Sequence, residues 1–576
     1  MSTWPAPSVL DARTQAFPVL TSAQIERVRP GSKSRKVEPG EILFQPGDTN
    51  VPFFVLLTGS MEIVQPDLTG ERPVATHAPG EFTGEITMIS GQRCLVRGRV
   101  TEAGEFIELS GDGLRALVAR DAELSEIFMR AFILRRLALV RSGHGNAVIM
   151  GSRHSASSLR LREFLSRNAY PYCYVDLDAD KISQQLLDRF EVKVEDVPVV
   201  ICHGRTVLRN PSTQQLADCL GFNVSIDTTQ IRDLVIVGAG PSGLAAAVYA
   251  ASEGLDALVI ETNAPGGQAG SSSKIENYLG FPTGVSGQEL SARAIAQAQK
   301  FGAKMMIGHR VVKLNCGHRP YQVVLDNGSA LAARAVIIST GAQYNKPGIA
   351  NLKNFEGQGI YYGATYIEAQ LCGNDDVIVV GGGNSAGQAA TFLAQTARKV
   401  HMLVRAGSLS DTMSRYLIQR ITENPGIELH YRTQIVALEG DGQLERVTWR
   451  DGSTGETSTH TIRHLFIMAG ASPGTEWLKG CVALDDKGFI LTGRDLDGAN
   501  GTTPALKWPL SRPPQMLETS LPSRNRARSR APRTTRRHGG RFQAEAIAYP
   551  SEDPQRSADA RVAWGGQIAA MSFWIS

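Results

Sequence analysis

Short apolar runs recur between residues 15 and about 110, at 41–44, 51–57, 61–64, 99–100 and 106–109, with turns containing Gly or Pro between them. That spacing predicts an all-β module. From 113 to about 140 charged residues are interspersed among apolar ones at helical spacing, so helices should follow the β-barrel. Residues 146–222 read as strand 147–150, helix 155–168, strand 172–177, helix 181–190, strand 197–202 and a last helix, a compact α/β unit. From 233 to about 480 the chain opens with a strand, a glycine turn and a helix, and repeats that device near Val377. Two lobes of the dinucleotide-binding kind are expected, the second inserted in the first.

At 576 residues the chain is long enough for three or four domains at roughly 150 residues each. Its 42% hydrophobic and 20% charged residues exclude wholesale disorder. The net charge of +4 misleads about partners: residues 523–576 hold ten Arg against four acids, +6, which leaves −2 for everything before them. No nucleic-acid partner is therefore expected of the body of the chain. The stretch 523–541, with eight Arg in nineteen residues and no apolar face, reads as a solvated, disordered arm. Seven cysteines, scattered and never in C-x-x-C, make a disulfide framework or a metal site unexpected. With no signal-peptide pattern and no long apolar stretch, a cytoplasmic protein without membrane contact is expected.

The run DLVIVGAGPSGLAAAV places Gly238, Gly240 and Gly243 between an apolar strand and an alanine-rich helix, and Glu261 follows 18 residues after Gly243. Gly238 permits the tight turn, Gly240 lets a pyrophosphate approach backbone N–H groups, and Gly243 lets helix and strand pack closely. A carboxylate at Glu261 accepts ribose hydroxyl hydrogen bonds and repels a 2′-phosphate. The second fingerprint, DVIVVGGGNSAGQAA, carries Gly381, Gly383 and Ala386 and is followed by Arg405 instead of an acid. A guanidinium there suits a 2′-phosphate, so NADP is favoured over NAD.

Residues 231 to about 475 resemble the flavoprotein pyridine-nucleotide disulfide oxidoreductases of the low-molecular-weight thioredoxin reductase type, on PGGQAG (265–270), IENYLGFP (275–282) and AVIISTGA (335–342). The resemblance implies FAD contacts at Gly267, Gln268, Asn277, Thr340 and Gly341 in addition to Gly238, Gly240, Gly243 and Glu261. It implies NADPH contacts at Gly381, Gly383, Asn384, Ser385 and Arg405. Two departures qualify it. Gly363 and Tyr366 stand where that family has the cysteines of C-A-T-C-D, and Ile367 where it has the acid, so no thiolate is available there for disulfide exchange. Cys372, the nearest sulfur, is expected to be a buried inert thiol. After LETSLP (517–522) the family's glycine-aspartate motif is replaced by the Arg-rich arm, a divergent terminus that would leave the FAD lobe without its last strand and helix.

Residues 146–222 resemble a thioredoxin or glutaredoxin half, with a cis-proline strand at Val197-Pro198, but Ser155, Ala156, Ser157 and Ser158 occupy the C-x-x-C position. A docking role is expected, since serine lacks the low-pKa thiolate. Residues 53–64 and 78–100 resemble a cyclic-nucleotide-binding domain, which implies Gly84 and Glu85 at the cyclic phosphate and ribose 2′-OH and Arg93 as the neutralising guanidinium. No helix-turn-helix follows.

The expected organisation is multidomain: a β-barrel plus helices (15–140), a thioredoxin-like α/β segment (146–222), an FAD domain in two parts (231–345 and 466–522) around an NAD(P)H domain (346–465), both Rossmann-like three-layer α/β, and the tail 523–576. The expected function is an FAD-dependent NADPH oxidoreductase, with electrons leaving to an electron-carrier protein, a quinone or dioxygen and a cyclic nucleotide as effector. The alternative is a non-catalytic nucleotide sensor with decayed reductase lobes. A homodimer follows only from the resemblance.

Overall fold

The computed structural model describes residues 14–67, 70–84, 87–90, 93–141, 147–152, 155–178, 196–203, 206–223, 226–272, 274–349, 351–496 and 516–521. The chain divides into two compact units, Met1–Asp227 with Ala292–Gly308, and Thr228–Ser291 with His309–Ser576. Among the described residues no helix is long and apolar enough to cross a membrane.

The first unit begins with two antiparallel sheets. One orders Lys33–Val37, Gly104–Leu109 and Phe53–Leu56; the other orders Ile42–Phe44, Arg97–Glu102, Ser60–Asp67 and Gly70–His77. Phe53, Phe82, Phe128 and Phe132 are fully buried, with ring centroids 5.0 Å apart for Phe53–Phe128 and 4.8 Å for Phe82–Phe128, so the helix after the strands closes the core. The structure adds elements that the apolar runs do not announce. Lys33–Val37 and Gly70–His77 are mostly exposed and polar, and Ser22–Val28 is a helix inside the region expected to be all β. Thr21 and Gln24 start that helix by a capping box. The helical stretch is two helices, Gly111–Arg120 and Ala122–Arg141. Asp121 separates them with an extended backbone, and its Oδ1 accepts the Leu124 N–H at 3.0 Å.

Further along this unit a four-stranded sheet orders Thr206–Arg209, Val199–Cys202, Ala147–Gly151 and Tyr172–Asp176, the last pair parallel and the others antiparallel. Helices Ala156–Arg167 and Thr213–Leu220 accompany it, and the Val197-Pro198 peptide is cis. Ser155 serves as the N-cap of the first of these helices, its oxygen accepting from the Ser158 N–H. The expected helix 181–190 and the arm 523–541 lie outside the described residues.

The second unit holds two sheets with parallel cores. In the first, Ala257–Glu261, Arg232–Val237 and Ala330–Ile338 run parallel and continue antiparallel into Tyr321–Leu325 and Val311–Asn315. In the second, Ile360–Tyr361, His464–Ile467, Asp376–Val380, Lys399–Val404 and Ile427–Tyr431 are all parallel. A meander of Thr433–Glu439, Arg446–Asp451 and Thr457–His460 covers it, burying Leu438, Val447 and Trp449 against Ile378, Leu403, Leu465 and Ile467. The ladder Ala342–Tyr344 with Ala471–Pro473 carries the chain between the lobes. The second lobe's last strand, His464–Ile467, runs two residues past the boundary expected at 465.

One expectation about sulfur is corrected. Cys316, just after a hairpin strand, is disulfide-bonded to Cys481, 165 residues away in sequence. Sequence spacing hides such a pair, because the antiparallel extension of the first sheet brings the two segments together. Cys94, Cys173, Cys202, Cys219 and Cys372 are free.

Candidate functional site

Strand Arg232–Val237 ends at Gly238, which has φ +102°. A Cβ on Gly238 would meet the Ser339 carbonyl at 2.2 Å, and one on Gly243 would meet the Gly238 carbonyl at 1.9 Å, so both glycines are required by packing. Gly240 differs. A Cβ there meets nothing nearer than Gly267 Cα at 3.9 Å, so this face is open. Gly240 caps helix Pro241–Ser252 without any side-chain cap bond, which leaves the first-turn N–H groups and the positive helix end available to an anion. Glu261, at the end of Ala257–Glu261, accepts the Ala239 N–H at 2.8 Å and the Asn263 N–H at 2.9 Å. Its carboxylate thus shapes the loop and keeps further lone pairs for ribose hydroxyls.

Gly267 has φ +55° and would touch Gly240 Cα at 3.0 Å with a Cβ, so two glycine turns meet back to back. Gln268 Nε2 donates to the Ala342 carbonyl at 2.6 Å, tying this turn to the crossing strand beside Thr340 and Gly341. Asn277 lies half-buried beside Glu276. Sequence reasoning missed Glu276, which is ion-paired with Lys274 at 3.0 Å and with Arg420 of helix Arg415–Thr422 in the second lobe. The Arg420 guanidinium holds the Glu276 carboxyl below its ordinary range. A hydrogen bond from Ser272 Oγ to Gln388 at 3.3 Å joins the same two lobes.

The second glycine loop repeats the first one's physics. Gly381, at φ +147°, would meet the Met468 carbonyl at 2.5 Å and Ala386 Cβ at 2.9 Å with a Cβ, so it is required by packing, and Ala386 in the third position is fully buried. Gly383 caps helix Asn384–Leu393 without a side-chain bond, and a Cβ there has only the Thr412 carbonyl at 3.8 Å. Asn384 Oδ1 accepts the Ser414 N–H at 2.8 Å, and Ser385 is half-exposed. Arg405, just past strand Lys399–Val404, is exposed and makes no ion pair among the described residues. Both loops are cradles that a single methyl would fill, which fits a pyrophosphate at each.

At Gly363 a Cβ would meet nothing within 4 Å among the described residues, so sulfur is absent there by sequence and not for lack of space. Tyr366 begins helix Tyr366–Leu371. Glu368, buried, accepts the Thr365 N–H at 2.9 Å and stands one residue beyond the position expected for an acid. Cys372 is fully buried, and burial pushes its thiol up to about 12.

In the N-terminal module Gly84 has φ +110°, and its carbonyl accepts Arg135 Nη1 at 2.8 Å. Arg135 also donates to the Phe82 carbonyl at 3.1 Å and the Ala16 carbonyl at 2.8 Å, between the rings of Phe17 and Phe82. Burial lowers its guanidinium to about 10. Helix Ala122–Arg141 thereby grips the segment expected to face a cyclic phosphate, a contact no motif reveals. Glu85 lies outside the described residues. Arg93 sits against Gly221, where a Cβ would meet its Nε at 2.4 Å, and that Nε is buried without a hydrogen-bond partner among the described residues.

Residues 232–499 match the model of the pyridine nucleotide-disulphide oxidoreductases, and residues 34–121 that of the cyclic nucleotide-binding domain. The chain is 34% identical over 263 residues to a thioredoxin reductase of Streptomyces clavuligerus, covering 46% of this chain and 80% of that one. It is 34% identical over 261 residues to a thioredoxin reductase of Mycolicibacterium smegmatis, covering 45% and 82%. Among solved structures, T. acidophilum thioredoxin reductase is 28% identical, with 45% of this chain and 84% of that one covered and a TM-score of 0.43. The family model and the two sequence relatives do not favour the non-catalytic alternative and support an NAD(P)H-dependent flavin oxidoreductase. The chain belongs to the pyridine nucleotide-disulphide oxidoreductases, as a thioredoxin reductase-like member with an N-terminal cyclic nucleotide-binding domain.

Proposed function

We propose that the chain is an NADPH-dependent FAD reductase whose electrons leave to an acceptor other than a dithiol at 363–366. When bound, the two cofactors supply hydride transfer from nicotinamide to flavin. The chain's own residues bind and orient them. Gly238, Gly240 and Gly243 seat one pyrophosphate and Glu261 a ribose, with Gly267, Gln268, Asn277, Thr340 and Gly341 along the flavin. Gly381, Gly383, Asn384 and Ser385 seat the other dinucleotide, and Arg405 takes its 2′-phosphate.

One observation carries this reading. Gly363 and Tyr366 offer no thiol, and the neighbouring Cys372 is buried with its thiol held protonated. The acceptor is an electron-carrier protein, a quinone or dioxygen. Anaerobic mixing of the yellow holoprotein with NADPH should bleach the flavin, and one of these three acceptors should restore the colour. Thioredoxin turnover that survives in a Cys316→Ser/Cys481→Ser variant and is lost in Cys372→Ser would overturn the proposal.

Residues 146–222, with the strand order given above, act as a thioredoxin-like docking module. Gly84, Glu85 and Arg93 form the effector site of the barrel. Since Arg93 lies against Gly221 of the docking module, a cyclic nucleotide drawing on Arg93 would loosen that contact, which is how binding would be felt beyond the barrel. Fluorescence titration with cyclic AMP and cyclic GMP, compared with Arg93→Ala, tests the effector reading.

A further inference from the structure

We infer that His401, Glu428 and His430 form a site for one divalent transition cation of the zinc type, on the second parallel sheet and separate from its glycine loop. Strands Lys399–Val404 and Ile427–Tyr431 are parallel neighbours, with His401 opposite Glu428 and Leu403 opposite His430. The two-residue alternation of a strand puts Glu428 and His430 on the face that His401 shares. Their ligand atoms converge, all within 4.8 Å of one another. His401 Nδ1 lies 3.1 Å from His430 Nε2, His430 Nε2 lies 3.5 Å from Glu428 Oε1, and His401 Nδ1 lies 4.0 Å from Glu428 Oε2. Two ligand atoms held at about 2.1 Å in a tetrahedral zinc site are roughly 3.4 Å apart, the middle of this range.

The alternative, a histidine pair joined by one hydrogen bond beside a Lys399–Glu428 ion pair, explains the 3.1 Å contact and the place of Oε2, but not Oε1 facing His430 Nε2 at 3.5 Å. Glu428 approaches both imidazoles yet stops beyond good hydrogen-bond distance of either. A cation between the three groups accounts for that spacing. The surroundings suit one. Lys399 Nζ is 3.1 Å from Glu428 Oε2, which orients the carboxylate toward the two imidazoles. Trp449, buried, walls the site with ring centroids 5.8 Å from His401 and 5.3 Å from His430, and His460 stacks on its other reach at 3.7 Å. Glu428 is 46% exposed, so the fourth position opens to water. Two imidazoles and one carboxylate select zinc, cobalt, nickel or copper over magnesium and calcium, which prefer all-oxygen shells.

The test uses the full chain, stripped with a chelator and dialysed. Calorimetric titration with zinc chloride should show one equivalent bound, and cobalt chloride should give tetrahedral ligand-field bands to the red of the flavin absorption. Glu428→Ala, a change at an exposed position, and His430→Gln should each weaken zinc binding by more than about 100-fold, beyond what loss of an outer-shell partner costs. Should His430→Gln fail to fold, Glu428→Ala decides alone. Absence of a bound equivalent in the parent chain, or affinity unchanged in Glu428→Ala, overturns the assignment.

Discussion

One methyl group added at Gly243 and one added at Gly240 should do opposite things, although the two glycines belong to one loop. At Gly243 a Cβ would stand 1.9 Å from the Gly238 carbonyl oxygen, about 1.5 Å or more inside ordinary contact. That oxygen is backbone at the end of a central strand, so relief requires helix Pro241–Ser252 to shift from the sheet. Overpacking of this kind costs about 1–3 kcal/mol, and more where the backbone cannot give. At Gly240 the nearest atom is 3.9 Å away, so the methyl is accommodated in the folded chain and intrudes only on a bound pyrophosphate. Losing one charge-assisted hydrogen bond there costs about 1.5–3 kcal/mol, roughly 10- to 150-fold in FAD affinity. The assay pairs chemical unfolding of the flavin-free proteins with A450 titration by FAD. Gly243→Ala should unfold at lower denaturant; Gly240→Ala should unfold with the parent and bind FAD weakly. Equal destabilisation by both, or parental FAD affinity in Gly240→Ala, would refute the assignment of packing to one glycine and ligand approach to the other.

Three further outcomes follow from the same geometry. Arg405→Ala should raise the KM for NADPH about 10-fold and leave that for NADH nearly unchanged, since the exposed guanidinium makes no ion pair among the described residues and is proposed to take the 2′-phosphate; steady-state kinetics with both nucleotides reads the difference. Cys372 should resist iodoacetamide in the folded protein at pH 8, because a thiol at about 12 is ionised to only about one part in ten thousand; mass spectrometry before and after denaturation checks this. Arg135→Met should destabilise the barrel by about 2–4 kcal/mol, because three carbonyl acceptors, at Ala16, Phe82 and Gly84, lose a charged donor; urea unfolding followed by far-UV circular dichroism measures it.

Both glycine loops could be read from the chain before any coordinates, because a turn that must let phosphate approach leaves a fixed spacing of residues without side chains. The substitutions at Gly363 and Tyr366 were equally legible, since they concern which atoms are present and not where they lie. Strands Lys33–Val37 and Gly70–His77 were not, because edge strands facing water carry no apolar alternation.

What depends on local chemistry was determined by the sequence alone: the two strand–glycine turn–helix units, Glu261 and Arg405 with their opposite charges, and the missing redox thiols. What depends on pairing between distant segments was decided only by the tertiary structure. The Cys316–Cys481 bond, the Glu276–Arg420 pair across the lobes, Arg135 under Gly84 and the convergence of His401 with Glu428 and His430 each join residues with no fixed spacing between them. Sheet register and helix docking set these meetings, and a contact made by register leaves no periodic trace in the chain that makes it.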